Sequence, residues 1–405
     1  MPPRKRGKVD GGASPEAGGG GIGGLPEDAL HHVLSFLPAE EAVRTSVLAR
    51  SWRHLWKSAT GLRIGCGGDG DEHEPPSVEE LRQFVDRLLD LREQDSSLDT
   101  CEFRIGVCRC GDDERRLNLW IRRALACKVR MLRVDIQEIE YDTFWLDGLS
   151  LVSKHLTTLA LIGVGLSILN LSTCPNLENL EISNCRMGMD QISSESLKRL
   201  SITNHSFFDG WLHTRICVPS LVSLRLDIHL HAVPVLGSMP SLKEAFVRED
   251  DDEGCQFEYC YSCSGELPDD DDHDTNKCFL LEGLSKAENL ALMSYYKRVI
   301  FQRDLEWCPT FTNLRTLLLN QCWFVDNDFN ALTCILNHSP VLEKLALHLF
   351  FKQPKHNVEM IGTYNQMEGP ATISKHLKEV KVKYKVLDAK VRKILQFLSK
   401  FGICK

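Results

Sequence analysis

No stretch of this 405-residue chain approaches the ~18 consecutive apolar residues that a membrane-crossing helix needs. The chain also lacks the short signatures that announce many enzymes. There is no Gly-rich phosphate loop ending in Lys-Ser/Thr, no His-Glu-x-x-His and no Gly-x-Ser-x-Gly. His31/His32 and His229/His231 fall on opposite faces or beside strands, where surface or core roles are commoner than ligation. The opening MPPRKRGKVDGG has no apolar core behind its charges, so it does not read as a secretory signal. Sixteen cysteines are therefore expected as thiols in a reducing compartment, nucleus and/or cytoplasm. Basic residues are missing from one place, Glu249 to Asp274, which holds twelve acids and neither Lys nor Arg. Removing those twelve from the net charge of −8 leaves +4 for the rest, so the acidic balance belongs to one loop. These absences exclude a catalytic constellation, a cofactor, a membrane partner and, with a pI near 6.0, a nucleic-acid partner.

What is present begins at Gly21–Ser58. Pro26 suits a first helical turn, and Glu27 and Asp28 suit the positive end of a helix. Leu30, Val33, Leu34 and Leu37 share one helical face, and Pro38 stops it. A second helical pattern starts at Ala39 and carries Val43, Val47, Leu48, Trp52, Leu55 and Trp56 at three- and four-residue steps. A unit of 38 residues cannot bury so many large side chains by itself, so part of its surface is a docking face.

The order Leu25-Pro26-x-Asp28-x-Leu30, Val33-Leu34, Phe36-Leu37-Pro38, Val43 to Leu48 and Ser51-Trp52-Arg53-x-Leu55-Trp56 resembles an F-box. That resemblance implies binding to the Skp-type adaptor and, through it, a cullin of an SCF ubiquitin ligase. It also implies that Leu25, Pro26, Leu30, Val33, Leu34, Leu37, Pro38, Val43, Val47, Leu48, Trp52, Leu55 and Trp56 carry adaptor binding.

Beyond the module, residues 59–97 read as a linker and a helix with a stripe on Leu81, Phe84/Val85 and Leu88/Leu89. From Leu98 a repeat takes over: an apolar residue, then apolar again three and five positions on. Good copies are Leu156/Leu159/Leu161, Leu177/Leu180/Ile182, Leu197/Leu200/Ile202 and Leu314/Leu317/Leu319; looser ones run from Leu98/Cys101/Phe103 to Leu377/Val380/Val382. Pro175, Pro219, Pro240 and Pro340 each stand two residues before a copy. Each triad contributes a strand, and stacked copies make a parallel sheet over a shared core. This resembles leucine-rich repeats, with Asn/Cys positions held only by Cys185 and Cys322. Uneven spacing, from 20 to 45 residues, gives room for convex-side helices such as one over Phe329–Leu336.

At the C-terminal end, Val380, Val382, Tyr384 and Val386 alternate with lysines, and Asp388 caps a helical stripe of Val391, Ile394, Leu395, Leu398 and Phe401. This pair resembles the FBD-type ending of plant F-box proteins with leucine-rich repeats and is expected to be an incomplete cap. The fold class is thus α/β: an N-terminal helical F-box, then an irregular leucine-rich-repeat solenoid with a parallel sheet. The expected division is a tail over 1–20, the F-box over 21–58, the solenoid over 98–370 with an acidic insert at 249–274, and the FBD-like end over 371–405.

Arg4, Lys5, Arg6 and Lys8 offer either a nuclear-import signal or a solvating tail. In the insert, Cys255, Cys260 and Cys263, with His273 and Cys278, have one two-residue knuckle and no second, so thiols rather than a metal site are expected. Cys108 and Cys110 have the same reading. The resemblance implies a non-catalytic specificity subunit of a ubiquitin ligase that binds a target protein of unknown identity. The alternatives are a repeat scaffold that directs no ubiquitination and an enzyme using the Cys255–Cys278 loop. The strand positions between the triads, Asn179, Glu181, Arg199, Ser201, Ser223, Arg225, Arg315, Thr316, Leu318, Lys344 and Ala346, offer either a target-binding strip with Arg199 and Arg225 central or a merely solvated sheet face.

Overall fold

The first helix, α1 (Glu27–Leu34), starts one residue later than Pro26 suggests. Pro26 is its N-cap, with ψ 148°, and its carbonyl accepts the Leu30 N–H at 3.1 Å. A second helix, α2 (Ala39–Arg44), follows Pro38. The continuous second helix expected as far as Trp56 is not formed. The chain breaks into three 3-10 turns, Thr45–Val47, Arg50–Trp52 and Leu55–Lys57. The reason is packing. A straight helix advances ~1.5 Å per residue and would carry Trp52 and Leu55 away from α1. The turns instead fold both back onto Leu30, Leu34, Ala42 and Ala59, a small core of its own.

The computed structural model describes residues 25–66, 75–92, 97–106, 111–137, 144–146, 151–203, 206–207, 214–228, 234–249, 280–294, 304–305, 308–321, 323–324, 329–349 and 375–400. Outside the described residues lie the basic cluster Arg4–Lys8, Gly21–Gly24, Cys108, Cys110, His229, His231, the insert from Asp250 onward with its cysteines and His273, Cys322 and Phe401.

Among the described residues, twelve strands form one sheet in sequence order. They are β1 (Gly61–Ile64), β2 (Thr100–Ile105), β3 (Met131–Ile136), β4 (Thr158–Ile162), β5 (Asn179–Ser183) and β6 (Arg199–Thr203), then β7 (Ser223–Ile228), β8 (Glu244–Glu249), β9 (Asn289–Met293), β10 (Thr316–Asn320), β11 (Lys344–Leu349) and β12 (Glu379–Tyr384). Every neighbouring pair is parallel. The register lines up the middle triad residues, Leu159 with Leu180, Leu180 with Leu200 and Leu317 with Leu345. The triads from Leu98 through Leu347 are buried, and those of neighbouring copies belong to one continuous core. Because side chains alternate across a strand, the residue between two buried positions faces the opposite side of the sheet.

β1 corrects the expected linker over 59–97. Ala59, Leu62 and Ile64 are a buried triad of the same spacing, and β1 pairs with β2. The repeat therefore starts inside the stretch assigned to a connection. Two further sheets of three short strands run along one flank, Gly165–Leu166 with Arg186–Met187 and Ser206–Phe207, and Gln191–Ser193 with Arg215–Cys217 and Val235–Leu236. Between the main sheet and this flank the chain turns at Gly163 and Asn184, both with positive φ (68° and 52°). A Cβ on Gly163 would lie 1.9 Å from the Ile136 carbonyl oxygen, so that turn requires glycine. Cys185 follows it, buried, its thiol donating to the Leu161 carbonyl at 3.3 Å and pushed up to about 11 by burial.

Helices cover the larger gaps. α3 (Val78–Leu91) opens with a capping box: Ser77 Oγ accepts the Glu80 N–H, and Glu80 returns a carboxylate to the Ser77 N–H at 2.8 Å. Its stripe of Val78, Leu81, Val85 and Leu88 is buried, as its spacing predicts. α4 (Asp112–Ala126), absent from the sequence reading, buries Leu117, Trp120, Ile121 and Ala124. Asp86 of α3 accepts the Trp120 Nε1–H at 2.8 Å and pairs with Arg116, which locks the two helices together.

After the short helix α5 (Leu281–Leu284), α6 (Asn330–Asn337) buries Leu332, Ile335 and Leu336. α7 (Ala389–Lys400) is capped by Asp388, whose Oδ1 accepts the Val391 N–H at 2.8 Å, and buries Val391, Ile394 and Leu398. Phe397 of α7 stacks on Phe329, centroids 4.2 Å apart, which joins the last helix to the entry of α6. On β12 the expected apolar face is only half realised: Val380 and Val382 are half-buried, while Tyr384 and Val386 are exposed. Among the described residues β12 is the sheet edge, and its lysines blunt that edge.

Candidate functional site

The F-box face divides into residues that hold the module together and residues left on its surface. Leu30, Leu34, Trp52 and Leu55 are buried in the module's own core, with Leu37 and Trp56 half-buried against it. Val43 and Trp56 pack onto the core of the repeat arc as well. These side chains are taken up by contacts inside the protein. The apolar residues presented outward are Leu25 (45% exposed), Val33 (44%), Phe36 (61%), Val47 (84%) and Leu48 (70%). Pro26, also exposed, shapes the entry to α1. The thirteen adaptor positions read from sequence therefore separate into an outward and an inward set. Phe36 joins the outward set, although the helical stripe of α1 leaves it out; its ring is held edge-on by His32 at 4.9 Å.

The module is mounted rigidly. Pro38 forms a parallel bridge to Arg63 of β1, and the Arg63 guanidinium donates to the Phe36 carbonyl at 2.9 Å. Gly61 lies so close to the end of α1 that a Cβ there would be 2.5 Å from the Ser35 oxygen. The outward face is thereby held in a definite relation to the first strand of the sheet.

The second candidate surface is the face of the sheet between the triads. The register places Arg63, Glu102 and Arg133 in one row on β1–β3, then Glu181, Ser201 and Arg225 on β5–β7, and Phe246, Ala291, Leu318 and Ala346 on β8–β11. The first strands are charge-paired: Glu102 accepts from Arg63 at 3.2 Å and lies 3.6 Å from Arg133. Arg199 and Arg225, expected at the centre, are both exposed. Arg199 donates to Asn179 Oδ1 at 2.7 Å, and the Arg225 guanidinium lies 5.0 Å over the Phe246 ring. The strip thus passes from charged to apolar, with Arg225 at the change and Arg199 on the preceding strand, in register with Asn179 and Ser223. Asp227, buried beside it, is held by Arg248 through two bonds of 3.1 and 2.6 Å.

Sequence reading also passed over a cluster on the convex side. Cys308, Cys334 and His338 place their donor atoms within 4.8 Å of one another. Cys334, on α6, and His338, its C-cap, are four residues apart, a signal present in the sequence, but Cys308 is 26 residues upstream of Cys334. The Cys334 thiol is held down to about 7, chiefly by a hydrogen bond from Cys308 and further by His338, against burial. Among the described residues, no helix is long and apolar enough to cross a membrane.

Comparison with known proteins agrees with this geometry. Residues 22–61 match the F-box domain family. The meiotic F-box protein MOF of Oryza sativa subsp. japonica is 29% identical over 353 residues, covering 80% of this chain and 70% of that protein. An F-box/FBD/LRR-repeat protein of Arabidopsis thaliana is 29% identical over 368 residues, 80% of this chain and 76% of its own length. An F-box/LRR-repeat protein of Arabidopsis thaliana reaches 32% over 237 residues, 51% of this chain and 74% of its own. The chain belongs to the plant F-box/leucine-rich-repeat proteins. Members of this family are generally non-catalytic substrate adaptors, and the F-box domain generally binds Skp-type adaptors.

Proposed function

We propose that this protein is the substrate-recognition subunit of a cullin-based (SCF) ubiquitin ligase, acting in the nucleus and/or cytoplasm. The F-box docks a Skp-type adaptor through Leu25, Val33, Phe36, Val47 and Leu48. The sheet face between the triads binds a target protein, with Arg199 and Arg225 at its centre. The observation that carries this reading is the outward apolar set on a module whose own core is already closed. Burying a Val, Leu or Phe side chain contributes about 1.5–3 kcal/mol, so Phe36, Val47 and Leu48 alone supply a large share of a stable interface.

The protein performs no bond-breaking step in this scheme. The ubiquitin-conjugating partner supplies the activated thioester, and this chain supplies proximity. Holding a target lysine beside the thioester turns a bimolecular encounter into an effectively intramolecular one, which is worth several kcal/mol of barrier. The rigid link from α1 through Arg63 to β1 serves that purpose, since a loosely hung target would lose the gain.

The test is Val47→Asp with Leu48→Asp in the full chain. Both positions are exposed, so folding should be unaffected. Adaptor capture should be lost, and ubiquitinated partners should disappear from purifications made with the proteasome blocked. Undiminished adaptor capture would overturn the docking face. Adaptor capture that depends on these residues, with bound partners that never carry ubiquitin, would favour a scaffold that directs no ubiquitination.

A further inference from the structure

A site with no place in the adaptor scheme lies on the convex side, where α6 meets the segment leading into β10. Cys334 and His338 are at i and i+4 near the end of α6, so they share one face. Cys308 arrives from the preceding segment, which is fixed on both sides of it: Leu305 and Phe311 are buried, and the Phe311 N–H donates to the His338 carbonyl at 2.8 Å. The helix is fixed too, through buried Leu332, Ile335 and Leu336. Three metal-binding side chains are therefore brought together by elements whose positions the core already determines, the condition for a preorganised site.

We propose that Cys308, Cys334 and His338 form a binding site for a thiophilic divalent metal ion, zinc in chemical class, held by two thiolates and one imidazole with the fourth position open.

The geometry suits such an ion. Tetrahedral zinc with bonds of about 2.3 Å to sulfur and about 2.0–2.1 Å to nitrogen brings its ligand atoms to roughly 3.6–3.8 Å from one another. The donors here lie within 4.8 Å, so closure asks for displacements of about 1 Å, which side-chain torsions supply. The imidazole is already held: its Nδ1 stands 2.8 Å from the Cys334 carbonyl, to which an Nδ1–H donates. The same Nδ1 lies 4.0 Å from the Cys334 sulfur, so a turn about the His338 side-chain torsions is what presents a free ring nitrogen to an ion held by the two thiols. Two thiolates and a neutral imidazole offset a divalent charge, so a half-buried site carries no net charge once loaded. Loading displaces the protons of both thiols to solvent. All three residues are half-buried, which leaves the ion a path in and leaves room for a water or another ligand at the open position.

The experiment uses the full chain, stripped with chelator under reductant and titrated with Co2+ and then Zn2+. Cobalt on two thiolates gives a sulfur-to-metal charge-transfer band and strong visible absorption of a tetrahedral ion. One equivalent should bind in this way, and zinc should displace it. Cys255, Cys260, Cys263 and Cys278 offer other thiols, so the readout is a difference between variants. The equivalent should be lost in Cys308→Ser/Cys334→Ser, weakened in His338→Gln, and retained when the four insert cysteines are changed to Ser. His338→Gln keeps the thiols and guards against a double variant that does not fold. An unchanged cobalt spectrum in the double variant would overturn the site. So would a Cys308–Cys334 disulfide in air combined with no thiolate band in the reduced chain.

Discussion

The F-box module and the repeat arc solve the same burial problem in opposite ways. The arc extends its core by adding copies, each triad covering the next, and it buries Leu, Ile and Val along eleven successive strands from β1 to β11. Among its described residues the module closes a core of six buried residues and leaves five large apolar side chains in water. A repeat buries its apolar face on a copy of itself. A forty-residue unit has no copy, so its surplus surface awaits a different chain. The difference separates residues whose loss should unfold the protein from residues whose loss should only disconnect it.

The largest effect should come from the arc. Trp120 is fully buried and gives its indole N–H to Asp86. Trp120→Ala should cost about 3–5 kcal/mol in urea unfolding. A loss well below 1 kcal/mol would mean that α4 is not part of a cooperative arc. In the module the split should run the other way. Phe36→Ala and Leu48→Ala should each weaken adaptor binding by about tenfold, the equivalent of ~1.4 kcal/mol, while unfolding stays within about 0.5 kcal/mol of the parent. Leu34→Ala, an inward neighbour on the same helix, should instead lower stability by about 2–5 kcal/mol. Equal stability losses in all three variants would erase the distinction between outward and inward residues.

The same comparison explains what could be read from the sequence. The triads were legible because a strand needs only a period of two, and leucine at three fixed positions marks each copy. β1 was not, because its triad begins with Ala59 and overlaps the end of the F-box pattern. The helix α4 carries the stripe Leu117, Trp120, Ile121 and Ala124, yet four arginines and three acids in that helix mask it. In the module, the spacing of Trp52 and Leu55 was legible, but the breaks that bring them home have no Gly or Pro to announce them. Those breaks arise from tertiary contact with α1. The outward set could not be told from the inward set, since one stripe fills both. The Cys308, Cys334, His338 group needed the fold, because only the parallel stacking closes a 26-residue separation.

A further contrast lies between thiols. Burial pushes Cys66 up to about 11, and Cys101 and Cys185 also upward, whereas Cys334 is lowered to about 7. The thiolate is the reactive form, so in the metal-free chain alkylation of Cys334 should rise tenfold per pH unit below about 7 and level off above it. The others should stay unlabelled in the folded chain through pH 8. Because its folded value lies below the ordinary thiol value, Cys334 adds stability that is full above about 9 and fades as pH falls through about 7. Peptide mass spectrometry after timed iodoacetamide pulses reads this directly. A Cys334 profile that rises only above pH 8 would remove the contrast.

The smallest effect on stability should come from the sheet face, and there it carries the most meaning. Arg225 over Phe246 is a cation–π contact worth about 0.5–1 kcal/mol at an exposed site. Arg199 adds one hydrogen bond to Asn179. Arg199→Glu with Arg225→Glu should therefore lower stability by no more than ~2 kcal/mol. Arg225 stands where its row turns apolar, at Phe246, Ala291, Leu318 and Ala346, and Arg199 stands on the preceding strand, so a target crossing several strands meets both chemistries there. Charge reversal at that point should abolish target co-purification while adaptor capture is untouched, since the F-box is mounted on β1, five strands away from β6. Equal target recovery from the double variant would move the recognition surface off the centre of the strip. The next place to look would then be the lysines of β12 and α7, Lys381 to Lys393, at the far edge of the sheet.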